Sequence, residues 1–261
     1  MTSLLTSLWH ETRGRFDRLP VWLPGARMEL GDVGVFDDGG WVKHTTLDAL
    51  GIPFTPDLPG VPTGYDYASH DGAQVSTWLA ADGDPTVSGI AHGNAGLRIR
   101  FSRAGAFVLR ADEVTVQSLA NLAEVDRRIL ARHRAGKWER GWVLVSEVAR
   151  GGPAITVVSG SSDGEAFVDL GVTAAAAGQP LAAAGAGIAL GTRRGLAGYF
   201  VSPTETTLLW RGRCVRDPWW SPKASMSDRG DQIHAELVAD DMGLQVVEIE
   251  HLEDIPTDIA P

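Results

Sequence analysis

The sequence predicts an α+β fold, because strand-like blocks are interspersed with stretches that have helical spacing. Leu97–Ser102 carries apolar residues at odd positions and polar residues at even positions, which is the pattern of a strand with one buried face. Between residues 122 and 133 the apolar positions are three or four apart, as in an amphipathic helix. With 261 residues, the chain can form one large domain, or one domain with an appendage.

The first predicted element is a short helix over residues 2–16. An apolar side is followed by arginines in this stretch, and the residues are Leu4, Leu5, Leu8, Trp9, Arg13, Arg15 and Arg18. An apolar stripe that ends in cationic residues can dock on an anionic membrane surface. The same stripe is also typical of a helix that packs on a protein core, so both interpretations stay open here.

A hairpin is predicted next along the chain. Gly31–Phe36 and Trp41–Val42 are short apolar runs on either side of an Asp-Asp-Gly-Gly sequence, which is a turn-forming sequence. Thr45 or Thr46 is then predicted to cap a short helix over Leu47–Leu50.

The central part of the chain contains the second predicted helix and most of the predicted strands. Asn121 and Glu124 have the spacing of a capping box, and Gly136 is predicted to end the helix that follows. Strand-like composition occurs at Trp142–Val148, Ala154–Val158, Glu165–Val172, Tyr199–Val201 and Thr206–Trp210.

Two further segments concern the membrane and the C-terminal end. The uncharged run Leu170–Thr192 contains Pro180 and five glycines, and most of its other residues are alanine, so it is too weakly apolar for a transmembrane helix. Near the end of the chain, a helix is predicted over 231–241, and a strand or a packed extension over Leu244–Ile249.

Charge is distributed unevenly along the chain. Residues 217–261 contain eleven acidic and two basic residues, so they carry −9 of the net charge of −10. Residues 98–150 contain eleven basic and six acidic residues. These opposite charges indicate either an intramolecular contact between the tail and the body, or simply a solvated tail.

The cysteine content and the N-terminal sequence indicate where in the cell the protein is expected. The single cysteine, Cys214, excludes an intramolecular disulfide framework and a cysteine-rich metal site. No charged and then apolar leader with a cleavage site is present, so an intracellular protein is expected.

No catalytic motif is supported by its sequence context, and we predict a protein that is not an enzyme and has no cofactor. Gly160-Ser161-Ser162-Asp163-Gly164 has the form of a nucleophile elbow, but strand-like residues follow it where a helix is required, so a polar hairpin turn is predicted. The glycines of Gly185–Gly191 lack a preceding Val/Ile-rich strand, which disfavours a dinucleotide site. The seven histidines show no metal-ligand spacing.

The order of these elements resembles the pore-forming domain of gasdermins, most closely that of the bacterial members. Strand-like residues Leu97–Ala111 are followed by the predicted helix and by Trp142–Arg150, which contains Leu144-Val145-Ser146-Glu147-Val148. Ala154–Val158, the small-residue stretch 159–192 and the returning stretch Gly198–Arg216 complete the likeness.

The resemblance implies a twisted, mostly antiparallel sheet with peripheral helices and a short acidic C-terminal segment. It implies that residues 1–216 form the pore-forming domain and that 217–261 inhibit it until a protease removes them. Hairpins from about 69–111 and 142–211 then enter a membrane, and many copies close a large transmembrane β-barrel. An antiphage cell-death role, a cytoplasmic inactive form and an inner-membrane active form are also implied.

The residue patterns and the resemblance together give candidate residues and partners. The partners are membrane lipids, an activating protease and further copies of the chain, with no nucleic acid. The predicted membrane-binding residues are Leu4, Leu5, Leu8, Trp9, Arg13, Arg15, Leu97, Ile99 and Phe101. The predicted boundary residues are Arg211, Arg213, Arg216, Trp219 and Trp220.

Two features depart from the family pattern. Bacterial gasdermins commonly carry a lipidated cysteine near the N-terminus, and this chain has none there. Arg98, Arg100 and Arg110 have the phase of a face turned away from lipid, whereas Arg103 has the phase of the apolar residues. The alternative functions are a non-pore α+β interaction module and, less favoured, a hydrolase.

Overall fold

The computed structural model describes residues 2–22, 26–37, 40–79, 94–173, 189–216 and 244–250. Two helices and fourteen strands are present in these residues, and the ten strand pairs with a described register are antiparallel. The predicted α+β class with a mostly antiparallel sheet is therefore confirmed. The helix predicted over 231–241 lies outside the described residues.

In chain order the elements are α1 (Thr2–Phe16), β1 (Leu19–Pro20), β2 (Asp32–Asp37), β3 (Gly40–Thr46), β4 (Thr63–Ala68), β5 (Ala73–Leu79), β6 (Asn94–Phe101), β7 (Phe107–Ser118), α2 (Leu122–Arg134), β8 (Val143–Gly151), β9 (Ala154–Ser159), β10 (Glu165–Thr173), β11 (Ala189–Arg194), β12 (Leu196–Ser202), β13 (Thr206–Arg216) and β14 (Gln245–Glu248). The chain forms two compact units. Unit 1 comprises 1–27, 59–116 and 149–210, and unit 2 comprises 28–58, 117–148 and 211–261.

Unit 1 contains a four-stranded sheet with the order β11-β10-β6-β5, which we call the small sheet. It consists of two antiparallel hairpins, β5/β6 and β10/β11, which are joined through β6 and β10. The two predicted hairpin regions, 69–111 and 142–211, contain these two pairs of strands.

A second group of strands in unit 1 is built around β7. This strand pairs with β4 and with β9, and β9 pairs in turn with β12. The stretch predicted as one strand over Leu97–Ala111 is two strands in different sheets, linked by a turn over residues 102–106. Gly160–Gly164 likewise links β9 to β10, which have different partners, so the hairpin predicted there is wrong although a turn is present.

The core of unit 1 forms where the small sheet packs on β7 and β9. Alternate side chains of β6 and β10 contact buried residues of the other layer, namely Val108, Ile155 and Val157. Helix α1 lies on the opposite side of β7, where Leu8 and Thr12 border the same apolar pocket as Phe107 and Leu109. Burying alternate faces of the strands in this way accounts for their period-two pattern.

Unit 2 contains the predicted β2/β3 hairpin, whose strands pair from Asp32 with Thr46 to Asp37 with Gly40. Strand β2 also pairs with β8, and β14 pairs with β13. Helix α2 buries Val125, Ile129 and Leu130 in a core shared with β2, β8 and β13. The helix ends at the predicted place, since Gly136 has φ of +66°.

Two local predictions in unit 2 are wrong. Asn121 precedes α2 but makes no side-chain cap, because its carboxamide oxygen accepts a hydrogen bond from the Thr55 backbone N–H at 2.8 Å. Residues 47–50 form a turn and not a helix, although the Thr46 hydroxyl does accept a hydrogen bond from the Ala49 N–H.

Candidate functional site

The small sheet has one apolar face, which is buried. On β6, Leu97, Ile99 and Phe101 are at most 4% exposed. In the strand register, Ile99 pairs with Ala166 and Leu97 with Val168 of β10, and both partners are fully buried. The two central strands therefore present a continuous apolar surface to the core of unit 1.

The opposite face of the small sheet carries polar residues in one row across all four strands. Gln74 of β5 is in register with Arg100 of β6, which is in register with Glu165 of β10 and, through it, with Arg194 of β11. Arg100 and Arg194 are more than half exposed. This face is therefore the charged and hydrated side of the sheet.

Glu165 is the centre of an ion cluster on this charged face. Its Oε1 accepts hydrogen bonds from Arg98 Nε at 2.8 Å and from Arg100 Nε at 3.1 Å. Burial alone raises the pKa of Glu165, but the hydrogen bonds and charges of the two arginines outweigh it, so the pKa is lowered. The Arg98 guanidinium also lies 5.0 Å from the centre of the Phe167 ring.

The three predicted membrane-binding residues of β6 are core residues in this structure. Leu97, Ile99 and Phe101 contact the layer formed by β7 and β9. A membrane could reach them only after the small sheet had separated from that layer, so their membrane contact stays a prediction.

The predicted membrane-binding residues of α1 are divided between core and surface. Leu8 and Trp9 are 2% exposed, and the Trp9 ring meets that of Trp210 edge to face at 6.1 Å. Leu4 is half-buried and Arg15 is exposed, while Arg13 lies 3.3 Å from Asp17. The side chain of Leu5 is outside the described residues. The helix therefore packs on the core, and its contact with a membrane stays a prediction.

The sequence interpretation missed a second polar cluster in unit 1, formed by Glu11, Tyr67 and Arg103. The Tyr67 hydroxyl donates to Glu11 Oε1 at 2.7 Å, and Arg103 Nη2 lies 2.5 Å from Glu11 Oε2. Burial, and then the hydrogen bond to Glu11 and the charge of this carboxylate, raise the pKa of Tyr67 to about 12. The three residues are far apart in the sequence, so no local pattern indicates the cluster.

Two predicted boundary arginines hold charged partners in unit 2. Arg211 Nε lies 3.5 Å from Glu147 and 3.7 Å from Glu248 of β14. Arg213 Nη2 lies 2.9 Å from Asp126 of α2 and donates to the Val246 carbonyl oxygen of β14 at 3.2 Å. Part of the acidic C-terminal region is thus paired with the basic strand β13. This strand lies outside the basic stretch 98–150, whose contact with the tail stays a prediction.

The other boundary residues are placed only in part. Arg216 is in register with Gln245 at the end of the β13/β14 pair. Trp219 and Trp220 lie outside the described residues, and the cleavage boundary stays a prediction.

The Gly160–Gly164 sequence forms the turn between β9 and β10, and residues 185–188 of the Gly185–Gly191 run lie outside the described residues. The Ser161 hydroxyl donates to the Asp163 carboxylate at 2.8 Å within the turn between β9 and β10. Within the described ranges, no group of three His, Cys, Asp or Glu side chains is placed to hold a metal ion. No helix among the described residues is long and apolar enough to span a membrane.

Comparison with known proteins gives a distant structural neighbour for much of the chain. No protein-family model matches the chain, and no curated protein does either. Among solved structures, the cryo-EM structure of the gasdermin A3 membrane pore is similar over 81% of this chain and 89% of that chain, with 10% sequence identity and a TM-score of 0.30. This likeness is too distant to place the chain in a family, and membership of the bacterial branch stays a prediction.

Proposed function

We propose that this protein is an autoinhibited pore former whose small sheet enters a membrane after the C-terminal segment 217–261 has been removed. The two faces of β6 and β10 are the observation that carries this proposal. Strands that cross a membrane alternate between lipid-facing apolar residues and water-facing polar residues. Leu97, Ile99, Ala166 and Val168 would supply the lipid-facing side.

The position of the arginines is compatible with this role, whereas β6 would have to lengthen on insertion. β10 has nine residues and β6 has eight, and a transmembrane strand needs roughly 9–11. An arginine on the lipid-facing side costs about 2–4 kcal/mol at the bilayer midplane, but Arg98 and Arg100 lie on the charged face. Arg103, whose phase was in conflict, lies in the turn after β6 and not in the strand.

Burial of the apolar face supports an inactive resting state. The residues that would face lipid are packed on β7 and β9, so the sheet must separate from that layer before it can insert. In a bilayer, open sheet edges leave backbone groups unpaired at high cost. Hairpins from several copies would therefore have to pair edge to edge, so activation would include self-association.

The C-terminal segment is proposed to be the inhibitor. Its described part, β14, pairs with the basic strand β13, and Glu248 lies near Arg211. Cleavage by a protease in the predicted boundary region, 211–220, would break the covalent link between this segment and the body of the chain, so that β14 could dissociate from β13. We also propose that the inactive form is cytoplasmic and that the active form is at the inner membrane, with an antiphage cell-death role.

The test is dye release from liposomes by a full-length chain that carries one inserted site for a specific protease after Trp220. Folding the whole chain first and cutting it later avoids dependence on a truncated protein that fails to fold. We expect release only after cutting, and more from anionic than from zwitterionic vesicles. The uncut chain and the protease alone are the controls.

Absence of release from cut protein that remains folded by circular dichroism, with the segment removed, would reject the pore function. That result would favour the alternative, a non-pore interaction module, which would form stable complexes without leakage. A protein without catalytic activity is expected in either case.

A further inference from the structure

The cluster of Glu11, Tyr67 and Arg103, which we call the Glu11 cluster, joins three parts of unit 1 through one carboxylate. Glu11 lies on α1, Tyr67 on β4, and Arg103 in the turn after β6. The Glu11 side chain is 17% exposed and that of Arg103 is 41% exposed, so the contacts are shielded from water in part. Hydrogen bonds to an ionised carboxylate are stronger than neutral ones.

The two donors lie at the two ends of the β5/β6 hairpin. Tyr67 is six residues before the start of β5, and Arg103 is two residues after the end of β6. The ends also meet each other, since the Ser102 N–H donates to the Gly72 carbonyl at 3.0 Å and the Ser102 hydroxyl donates to the Asp71 carbonyl at 3.1 Å. The hairpin therefore enters and leaves the rest of unit 1 beside a single carboxylate.

Other contacts hold α1 close to the same place. The Arg15 guanidinium lies 5.9 Å from the centre of the Tyr67 ring, and Phe16 stacks on Tyr65 at 5.1 Å. Gly105 has φ of +76°, and a Cβ atom added there would lie 3.3 Å from Ser7 Cβ. The helix thus runs directly against the turn that carries Arg103.

We propose that Glu11 is a latch that ties both ends of the β5/β6 hairpin to α1, and that this latch opens before the hairpin leaves the core. The second part rests on the proposed pore function. Without the carboxylate charge, Arg103 loses its ionic partner and Tyr67 keeps at most a weaker neutral acceptor. The hairpin ends then open more often, although the strands themselves are unchanged.

The first test is hydrogen–deuterium exchange of the intact full-length chain, comparing wild type with Glu11→Gln. We expect about tenfold faster exchange at the amides of Gly72, Ala73, Ser102 and Gly105, because loss of a charge-assisted contact lowers the cost of local opening. The first three of these amides donate to the Ser69 or Gly72 carbonyl oxygens at the hairpin ends, and the Gly105 amide donates to the Ser159 carbonyl oxygen at the end of β9. Glu124→Gln is the matched control, since it removes the same charge from α2, where Glu124 pairs with Arg127 and Arg128.

A second variant separates the latch from general destabilisation. The charge swap Glu11→Arg with Arg103→Glu recreates an ion pair of opposite polarity, so we expect it to restore slow exchange relative to either single change. Exchange at the hairpin ends that is unchanged in Glu11→Gln, or that rises equally throughout unit 1, would overturn the latch.

The link to insertion is tested by dye release from the cut chains. We expect cut Glu11→Gln to release dye several-fold faster than cut wild type, with cut Glu124→Gln like wild type. Equal rates for wild type and Glu11→Gln would overturn the role of the latch in insertion while leaving the pore function standing. No release from any cut chain would instead overturn the pore function. The exchange data would then test only whether Glu11 holds the hairpin ends to α1.

Discussion

Arg98 on β6 lies 2.7 Å from Glu165 on β10, and this ion pair joins the two hairpins of the small sheet. Arg100 lies 3.1 Å from the same carboxylate oxygen, so one acidic side chain serves two cations on the adjacent strand. The Arg98 side chain is 29% exposed and that of Glu165 is 22% exposed, and the Arg98 guanidinium lies over the Phe167 ring. The hairpins are therefore held together by side chains as well as by their backbone ladder.

Replacing Glu165 with Gln should lower the free energy of unfolding by about 1–2 kcal/mol, because two partly shielded arginines lose their counter-charge. Urea unfolding of the full-length chain measures the change. Asp163→Asn is the control, since Asp163 and Arg194 are 3.7 Å apart and about 70% exposed, and its effect should be close to zero. Equal effects of the two substitutions would contradict the central position of Glu165.

The same carboxylate predicts a dependence of stability on pH. The pKa of Glu165 is lower in the folded chain than its ordinary value of 4.5. Its contribution is therefore complete above pH 4.5 and is lost as the pH falls through the folded-state pKa. The difference in unfolding free energy between wild type and Glu165→Gln should be constant near neutral pH and shrink at acid pH. A difference that persists in strong acid would show that packing, and not charge, is responsible.

Tyr67 should ionise at higher pH than a free tyrosine. Burial and the Glu11 carboxylate raise its pKa from 10.0 to about 12, and the chain has only three tyrosines, so the phenolate absorbance can be assigned with Tyr67→Phe. Glu11→Gln should move this late titration toward 10. Because the folded-state pKa is raised, the stability that Tyr67 supplies is complete below pH 10 and is lost as the pH rises toward 12. A titration of Tyr67 that Glu11→Gln leaves unchanged would contradict the hydrogen bond.

Features set by local sequence patterns were predictable, whereas contacts between distant residues were not. Alternation over Leu97–Phe101 predicted a buried face correctly, because period two follows directly from strand geometry. The predicted cap by Asn121 was wrong because its side-chain oxygen accepts a hydrogen bond from the distant Thr55 N–H and not from the first turn of α2. The Glu11 cluster was missed since its donors are 56 and 92 residues away, and no pattern within a single element encodes such a contact.

The turn at Gly160–Gly164 shows a similar limit. Its polar sequence correctly indicated a change of direction, but a turn sequence does not state whether the next strand pairs with the previous one. Here β10 pairs with β6 and β11, and β9 with β7 and β12. Strand partners depend on which apolar faces are packed together, and that is a property of the whole fold.

Substitution of Arg213 with Met should be the most destabilising charge change in unit 2. Burial raises the pKa of Asp126, although the charge of Arg213 and its hydrogen bond act in the opposite direction. The ionised form of this carboxylate is therefore unfavourable even with Arg213 present. Removing the arginine leaves that charge without its 2.9 Å partner and also deletes the hydrogen bond to Val246 of β14. Loss of one member of a buried pair costs about 3–5 kcal/mol.

The pH dependence of Arg213→Met identifies the cause of its effect. Because the pKa of Asp126 is raised in the folded state, the contribution of this group to stability is complete below its unfolded-state pKa. That contribution is lost as the pH rises through its folded-state pKa. Arg213→Met should therefore be much less stable than wild type at pH 7 and closer to it at lower pH, where a larger fraction of Asp126 is protonated. Adding Asp126→Asn should recover part of the loss at pH 7, because the unpaired charge is then absent. Urea unfolding at the two pH values measures both effects, and a loss that neither acid nor Asp126→Asn relieves would assign it to the missing contacts with β14 instead.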